Sequence, residues 1–498
     1  MSITMPSDTR SLLGPDAVKC ESRALFMSRF AFPDAKDSGN SHPRRDWFNK
    51  LCGKPTCSDA ARDRSNWLTE MTSNGSGQLL FAQLQSRLML NMAGGVMENA
   101  GLCLDRFGLP YIPGSAVKGC ARRAALAALH EWCETNTKPT GADNLFTGAC
   151  APFNSAAEML AALALVFGWS EQEWNGQQKD GHCVSDFAWA CGERYEEVWM
   201  KAAEQLAIQL HVVIRLEHAK TPWGSLPNFA GRISFLPAYP VDLGKTGRVD
   251  GLPVEIPALG KLELDIVTCH HPDYYAQKRD VRDNLTMPVA LDTEEPVPVI
   301  FPAVAAGHLF AFPLLPLRAR DGNLLTHARS CLATGLAIFG LGAKTAAGYG
   351  WFDTSVKTHS SISDALAKIR QERKLAEAKE KREAAEKTKQ EEASRRKKAF
   401  AESLAQLTPE QQEDVKVEIL TDDQFRSALD NYAKKDGEEQ KAIIRAMRLE
   451  IHEPKSRRPF WDDLKIKSQK KGGKYAQTEQ TIRQLSKQMF PGKEGKMP

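Results

Sequence analysis

Two periodicities of hydrophobic residues along the chain predict a mixture of strands and helices. A half-buried strand is predicted over residues 80–92, because apolar side chains recur at even-numbered positions. The residues of that face are Leu80, Ala82, Leu84, Leu88, Leu90 and Met92. Further strands are predicted over residues 262–266 and 299–312, and residues 325–339 have the three- and four-residue spacing of an amphipathic helix. This irregular alternation favours an α+β fold over a regular doubly wound sheet.

Two more helices are predicted from their N-terminal residues. Ser115 is a good N-cap for the stretch AVKGCARRAALAALHEW, whose valine and alanine stripe would pack on a sheet. Ser155 and Glu158 form a capping box ahead of MLAALALVF. The stretch that follows, near residues 170–210, has a mixed character and is predicted to be an insertion.

The composition changes at about residue 361, where an almost continuous run of Ala, Glu, Lys, Arg and Gln begins. The run has no apolar heptad seam, so it predicts a solvated, semi-rigid helix rather than a coiled coil. Caps at Thr408 and Thr421 predict further helices after it. The predicted segments are an N-terminal segment packing on or extending the main domain (1–79), the main domain (80–360), a charged helical linker (361–399), a small helical domain (400–452) and a basic, partly disordered tail (453–498).

The net charge of +4 conceals an uneven distribution. Residues 361–498 contain 32 Lys and Arg against 25 Asp and Glu, which leaves a small negative charge on residues 1–360. If the main domain binds nucleic acid, a localised groove must therefore do it. In the tail the excess charge favours an acidic partner, most simply RNA, although a solubilising appendage is the alternative.

The apolar segments and the cysteine content indicate the cellular compartment in which the protein is expected. No apolar run is long enough for a signal peptide or a membrane span, so we expect no membrane association. The eleven cysteines are odd in number and scattered singly, which favours a reducing, cytoplasmic environment. Zinc-finger spacing is missing from the sequence, and we expect no metal.

The stretch GLGAKTAAGYGWF (340–352) is dense in glycine around Lys344. A phosphate-binding P-loop needs glycine directly before the lysine and five residues earlier still, where this chain has Ala343 and Ile338. We therefore expect no nucleotide cofactor. A plain helix C-cap would explain Gly340 and Gly342 alone, whereas a backbone that lies against RNA with Lys344 on a phosphate would explain the whole stretch.

The helix after Ser115 offers a second candidate contact. Lys118 would lie in its first turn, where a cation is unfavourable against the helix dipole unless it shares an anion with the helix amides. Arg122 is one turn further along the same face. The alternative is that both side chains form an ordinary solvated face.

Three blocks of sequence, the third of them made up of three separate stretches, resemble one family. GLPYIPGSAVKGCARR (108–123) and GLGAKTAAGYGWF are similar to the early helix motif and the late glycine-rich loop of the RAMP superfamily, the RNA-binding proteins of CRISPR systems. GRISFLPAYP (231–240), LELDIVTCHHPDYY (262–275) and PVPVIFPAVAAGHLFAF (296–312) are similar to the family of sixth subunits of type III-B, or Cmr, effector complexes. The resemblance covers roughly residues 80–357 and leaves out the tail.

The resemblance implies an RRM-like, ferredoxin-type domain with insertions that binds CRISPR RNA near the 3′ end of the guide. It implies a non-catalytic subunit whose partners are the other Cmr-type subunits and, further, target RNA, with no metal or nucleotide cofactor. The RNA-binding residues would then be Ser115, Lys118, Arg122, Gly340, Gly342, Lys344, Thr345, Gly348 and Tyr349.

An alternative within the same superfamily is a metal-independent endoribonuclease that processes CRISPR transcripts. His270 and His271 could act as acid and base on a ribose hydroxyl. Consecutive side chains of a strand point to opposite faces, however, so at most one of them could face a given pocket. Tyr349 could stack on a base, or could belong to the core.

Overall fold

The computed structural model describes residues 20, 22–29, 43–56, 63, 67, 77–91, 102–170, 178–179, 182–183, 185–213, 226–271, 295–318, 321–448, 456–493 and 498. The chain forms two compact units, Met1–Gln371 and Glu372–Pro498. Met92 and residues 272–294, which include part of one block of the resemblance, lie outside the described residues.

The first unit is built around one antiparallel sheet. The strands of the unit are β1 (Gln78–Leu84), β2 (Gly168–Trp169), β3 (Gln178–Lys179), β4 (His182–Cys183), β5 (Phe229–Ala230), β6 (Ile233–Phe235), β7 (Tyr239–Pro240), β8 (Leu262–Cys269), β9 (Val297–Val304), β10 (Leu309–Pro316) and β11 (Phe352–Asp353). The sheet has the order β11-β1-β10-β6, and β7 also pairs with β10. Its centre is the pairing of β1 with β10, in which Leu80 lies opposite Phe312.

Helices cover one face of this sheet. The helices of the unit up to residue 338 are α1 (Arg23–Arg29), α2 (Pro43–Gly53), α3 (Gly114–Thr135), α4 (Thr147–Cys150), α5 (Ala156–Phe167), α6 (Asp186–Cys191), α7 (Tyr195–Leu210) and α8 (Gly322–Ile338). The valine and alanine stripe predicted for α3 is fully buried, and it packs with Leu80, Ala82 and Leu84 of β1 in the main core. The four strands on the path of the main sheet alternate along the chain with the helices α3 and α8. Their order is strand, helix, two strands, helix and strand (β1, α3, β6, β10, α8, β11).

The opposite face of the sheet is also covered. Helix α9 (Val356–Ala405) begins directly after β11, and its first turns bury Ile362 against Phe81 and Leu309. Leu366 and Ile369 pack around the same cluster. The charged helix thus begins five residues before its predicted start at residue 361, and the predicted boundary at 360 falls within turns that belong to the first unit.

Two strand predictions need correction. The strand predicted over 80–92 ends at Leu84 and is followed only by an isolated bridge between Leu88 and Val304. The single strand predicted over 299–312 is two strands, β9 and β10, because the chain turns at Gly307, whose φ is +88°. β9 pairs with β8 in a separate two-stranded sheet.

Most of the described residues in the region near 170–210 belong to helices α6 and α7. Phe187 and Trp199 are fully buried in the main core, so this part of the predicted insertion packs into the domain. Phe26 and Trp47 of the N-terminal segment stack with ring centroids 5.1 Å apart within the same core.

The second unit contains the exposed part of α9 and, within its described residues, a bundle of five helices. The bundle helices are α10 (Pro409–Glu418), α11 (Asp422–Asp430), α12 (Gly437–Met447), α13 (Arg458–Lys471) and α14 (Gly473–Met489). The capping boxes predicted at Thr408 and Thr421 are both present. Trp461 and Ile482 are buried in the same cluster as Ile444, so the segment predicted to be a partly disordered tail completes the small domain that was predicted to end at residue 452.

Candidate nucleic-acid interface

The glycine-rich loop between α8 and β11 is held by backbone hydrogen bonds to the segment that follows β1. The Ala343 amide donates to the carbonyl of Met89 (2.9 Å), and the Gly350 amide donates to the carbonyl of Arg87 (2.8 Å). The Leu341 amide closes the loop on the carbonyl of Gly350 (2.8 Å). These bonds give the loop a fixed conformation. Strand β11 begins at Phe352, just after the last glycine of the loop.

The four glycines have different roles. Gly340, Gly342, Gly348 and Gly350 all have positive φ. A Cβ at Gly342 or Gly350 would overlap a backbone carbonyl oxygen, and one at Gly340 would lie 2.9 Å from the carbonyl oxygen of Gly350. These three glycines are therefore required by close packing of the backbone. A Cβ at Gly348 would meet nothing within 4 Å, so only its φ of +91° accounts for glycine there.

Lys344 lies at the tip of the loop in a left-handed conformation, with φ of 58°. Few non-glycine residues adopt this conformation, which costs on the order of 1–2 kcal/mol per residue. It directs the half-buried side chain over the ring of Phe301, with Nζ 5.8 Å from the ring centroid. Lys344 forms no ion pair with a carboxylate of the described residues, and its charge is available to a ligand.

Thr345 begins a single 3-10 turn, Thr345–Ala347, at the exposed edge of the loop. Its carbonyl accepts hydrogen bonds from the Gly348 amide and from Nε1 of Trp351, both at 3.0 Å. The contacts of Thr345 thus stabilise the turn that holds Lys344.

Tyr349 is part of a polar cluster beside the loop. Its hydroxyl donates to Oδ2 of Asp265 (2.6 Å), and the Arg87 guanidinium binds Asp265 and Glu263 at 3.0 and 3.2 Å. Burial and the hydrogen bond to Asp265 raise the pKa of Tyr349 to about 12. Burial disfavours the charged form of Asp265, but the bonds from Tyr349 and Arg87 outweigh it and lower its pKa. With its hydroxyl bound and its ring tilted against Phe301, Tyr349 is placed as a structural residue of this cluster.

The start of α3 differs from the prediction. The N-cap is Pro113, and Ser115 is an exposed residue in the first turn with no capping hydrogen bond. The reason is packing: Gly114 lies so close to the carbonyl of Phe235 that a Cβ would overlap it, and the helix starts two residues earlier than predicted. Lys118 consequently lies in the second turn, where burial and the nearby Arg122 lower its pKa. The dipole argument for a shared phosphate is correspondingly weaker at Lys118.

The two consecutive arginines of α3 have different surroundings. Arg122 pairs with Asp186 at the start of α6 and lies over the ring of Phe187, so its charge is neutralised. Arg123, which sequence reasoning missed, is exposed and lies over the ring of Phe339 with Cζ 4.3 Å from the centroid. Phe339 directly precedes the glycine loop. The sequence signal was present, because residue 123 ends the block that resembles the family.

A hydrogen bond joins the two candidate segments. The thiol of Cys120 in α3 donates to the carbonyl of Gly340 at the base of the loop (3.5 Å). The structure therefore brings the middle of the predicted helix motif against the predicted loop. Lys118 and Arg123 come from positions just before and just after Cys120, and Lys344 comes from the loop itself. None of the three forms an ion pair with a carboxylate in the part of the chain that the structure describes.

The described residues contain no cluster of three His, Cys, Asp or Glu side chains that could hold a metal ion. Among the described helices, none combines the length and apolarity needed to cross a membrane. His270 and His271 follow the end of β8.

Comparison with known proteins identifies a family. A model of the RAMP superfamily matches residues 74–353, more than half of the chain. Over 267 residues the chain is 25% identical to the CRISPR system Cmr subunit Cmr6 of Pyrococcus furiosus, a stretch that covers 53% of this chain and 64% of that protein. The chain thus spans less than two thirds of the length of the curated relative it matches.

Two solved structures are also similar. One is a cryo-EM structure of the type III-B Cmr-beta bound to cognate target RNA, with 16% identity, a TM-score of 0.31, and coverage of 62% of this chain and 70% of that chain. The other is the crystal structure of Cmr6 from Pyrococcus furiosus, with 22% identity, a TM-score of 0.26, and coverage of 56% of this chain and 98% of that chain.

Proposed function

Because the chain belongs to the RAMP superfamily, we propose that it is a non-catalytic, CRISPR-RNA-binding subunit of a type III-B ribonucleoprotein. It would assemble with other Cmr-type subunits near the 3′ end of the guide, in RNA-guided antiviral defence, in the cytoplasm. The curated relative, named as a Cmr subunit, supports this assignment.

An RRM-like, ferredoxin-type domain is supported by the topology of the main sheet. Its strands follow the spatial order fourth, first, third, second of a βαββαβ unit, and all its pairs are antiparallel. RRM domains bind bases on the open face of such a sheet. Here the first turns of α9 cover that face through Ile362. We infer that RNA binds beside the glycine loop instead.

The observation that carries the proposal is the strained, unpaired Lys344. A left-handed lysine is maintained at a cost of stability, which is typical of functional positions rather than of ordinary turns. Arg123 and Lys118 extend the positive charge along α3. Cations of this kind bind phosphates and position an RNA strand without selecting its bases, as a guide-binding subunit requires.

The remaining predicted residues are of two kinds. Ser115, Gly348 and Thr345 lie at the accessible edges of α3 and the loop, where they can approach an RNA backbone. Arg122 and Tyr349 support neighbouring structure through Asp186 and Asp265. We therefore replace Arg122 by Arg123 in the proposed phosphate-binding set.

The test compares Lys344→Gln and Arg123→Gln with Lys201→Gln, a control on α7 whose lysine is paired with Glu197 (2.7 Å). Binding of single-stranded repeat RNA is measured across a salt series. A substitution that removes one cation from an RNA phosphate should reduce the slope of log K against log salt by about 0.7, whatever the base sequence. Equal slopes in all three variants would refute the interface.

The same preparations distinguish the alternative, a metal-independent endoribonuclease. The full chain, purified with its partner subunits, should carry RNA of one uniform length and leave repeat RNA intact. Cleavage that is abolished by His270→Ala or His271→Ala would establish the nuclease instead.

A further inference from the structure

Charge is segregated within the helical bundle of the second unit. Residues 409–447, which form α10 to α12, contain six Lys and Arg against ten Asp and Glu. Residues 456–493, which form α13 and α14, contain ten against three. The hairpin of α13 and α14 is therefore a strongly basic element joined to an acidic one.

The hairpin is a fixed part of the bundle. Trp461, Leu464 and Ile482 are buried in its core, and the ring of Trp461 carries the guanidinium of Arg483 at 5.4 Å from its centroid. The two helices are connected by Gly472, whose φ of 56° allows the chain to reverse direction between them. The buried face leaves the basic side chains on the outside.

Some of these cations already have carboxylate partners. Lys465 and Lys467 pair with Asp462 and Asp463 at 2.8 and 2.7 Å, in the middle of α13. The remaining lysines of the hairpin are exposed, and none of them forms an ion pair with a carboxylate of the described residues. They are Lys470, Lys471, Lys474, Lys487 and Lys493.

Three of the unpaired lysines lie together at the turn of the hairpin. Lys470 and Lys471 end α13, and Lys474 is the second residue of α14. A Cβ built on Gly472 or Gly473 would meet nothing within 4 Å, so the backbone between the lysines is open to an approaching chain. Three like charges that repel one another on an open turn favour a polyanionic ligand.

We propose that this lysine turn binds the phosphate backbone of single-stranded RNA, as a second RNA contact outside the RAMP domain. A protein partner would need an apolar centre to its interface, whereas the turn offers lysine and glycine. Phosphate groups need only cations and an accessible backbone. The site would bind without base preference. It does not depend on the assignment made for the glycine loop.

The experiment uses the full chain and poly(U) RNA as the probe. The test variant carries Lys470→Gln, Lys471→Gln and Lys474→Gln. A matched control removes the same charge from the acidic half of the bundle, through Lys416→Gln, Lys435→Gln and Lys441→Gln, each of which has a glutamate partner at 2.6–2.7 Å. The slope of log K against log salt should become less steep by about 2 in the test variant, since each phosphate contact contributes about 0.7.

A test variant that binds poly(U) like the control would overturn the proposal. Unchanged RNA binding combined with a failure to bind poly-glutamate would overturn it in favour of an acidic protein partner. Lys344→Gln, measured in parallel, separates the two RNA contacts. A reduced slope in the triple variant with none in Lys344→Gln would support the lysine turn and refute the loop, and the reverse result would do the opposite.

Discussion

Truncation at two positions thirteen residues apart in α9 (Val356–Ala405) should give opposite results. A chain that ends after Thr358 loses the turns that cover the sheet, whereas one that ends after Gln371 keeps them. Ile362 is fully buried and Leu366 and Ile369 are half-buried against Phe81 and its neighbours. Beyond Gln371 the helix is exposed to residue 403.

The expected cost follows from the buried surface. Burial of Ile362 contributes about 2–3 kcal/mol, and the half-buried Leu366 and Ile369 contribute roughly 1 kcal/mol each. The chain that ends after Thr358 also lacks His359, whose Nδ1 accepts a hydrogen bond from the Phe81 amide (3.0 Å). Loss of this bond costs about 1 kcal/mol. The total, on the order of 5 kcal/mol, is comparable with the whole stability of a typical domain.

Thermal melting and soluble yield measure the difference. The chain that ends after Gln371 should melt with the same midpoint as the first unit of the intact protein. The chain that ends after Thr358 should be insoluble or should melt far lower, with increased binding of a hydrophobic dye. Equal midpoints for the two truncations would refute the conclusion that α9 completes the core.

Two further perturbations test the first unit. Burial lowers the pKa of His308 to about 4 from an ordinary value of 6.5, so the unfolded state takes up the proton first as the pH falls. The free energy of unfolding, measured by urea titration, should therefore decline between pH 6.5 and pH 4, by about 3 kcal/mol at pH 4, and His308→Gln should remove that part of the decline. Gly350→Ala should destabilise the protein by several kcal/mol because its Cβ would overlap the carbonyl of Leu341. Gly348→Ala, with open space, should cost only about 1 kcal/mol in the same unfolding assay, and equal costs would contradict the separation of the two glycines.

Hydrophobic periodicity predicted the elements that bury only one face, and it failed for the strands that are apolar on both faces. The stripe of α3 and the strand β8 have clear alternation or helical spacing, and both were located correctly. β9 and β10 are apolar nearly throughout, so the pattern over 299–312 could not show the turn at Gly307 that separates them.

The candidate site was only partly accessible to sequence reasoning, because partners distant in sequence decide which cations are free. Lys118 and Arg122 are equivalent on a helical wheel, yet Asp186, more than sixty residues later, neutralises only Arg122. Arg123 was passed over because spacing alone assigns it to a different face. Its position over Phe339 depends on how α3 packs against α8.

The basic tail illustrates the opposite limitation. Its lysine content predicted a basic, partly disordered segment, but the segment forms two helices, and Trp461 of α13 and Ile482 of α14 both lie in the core of the bundle.

If the chain binds RNA as we propose, the covered sheet face restricts how it can do so. Ile362 and its neighbours occupy the surface on which an RRM-like domain would stack bases, and Tyr349 is held by Asp265. The cations left accessible, Lys344 and Arg123, are suited to phosphates, which are the same in every nucleotide. A subunit that binds RNA in this way accepts any guide sequence. Under the proposed function, its place along the guide would be fixed by neighbouring subunits rather than by bases.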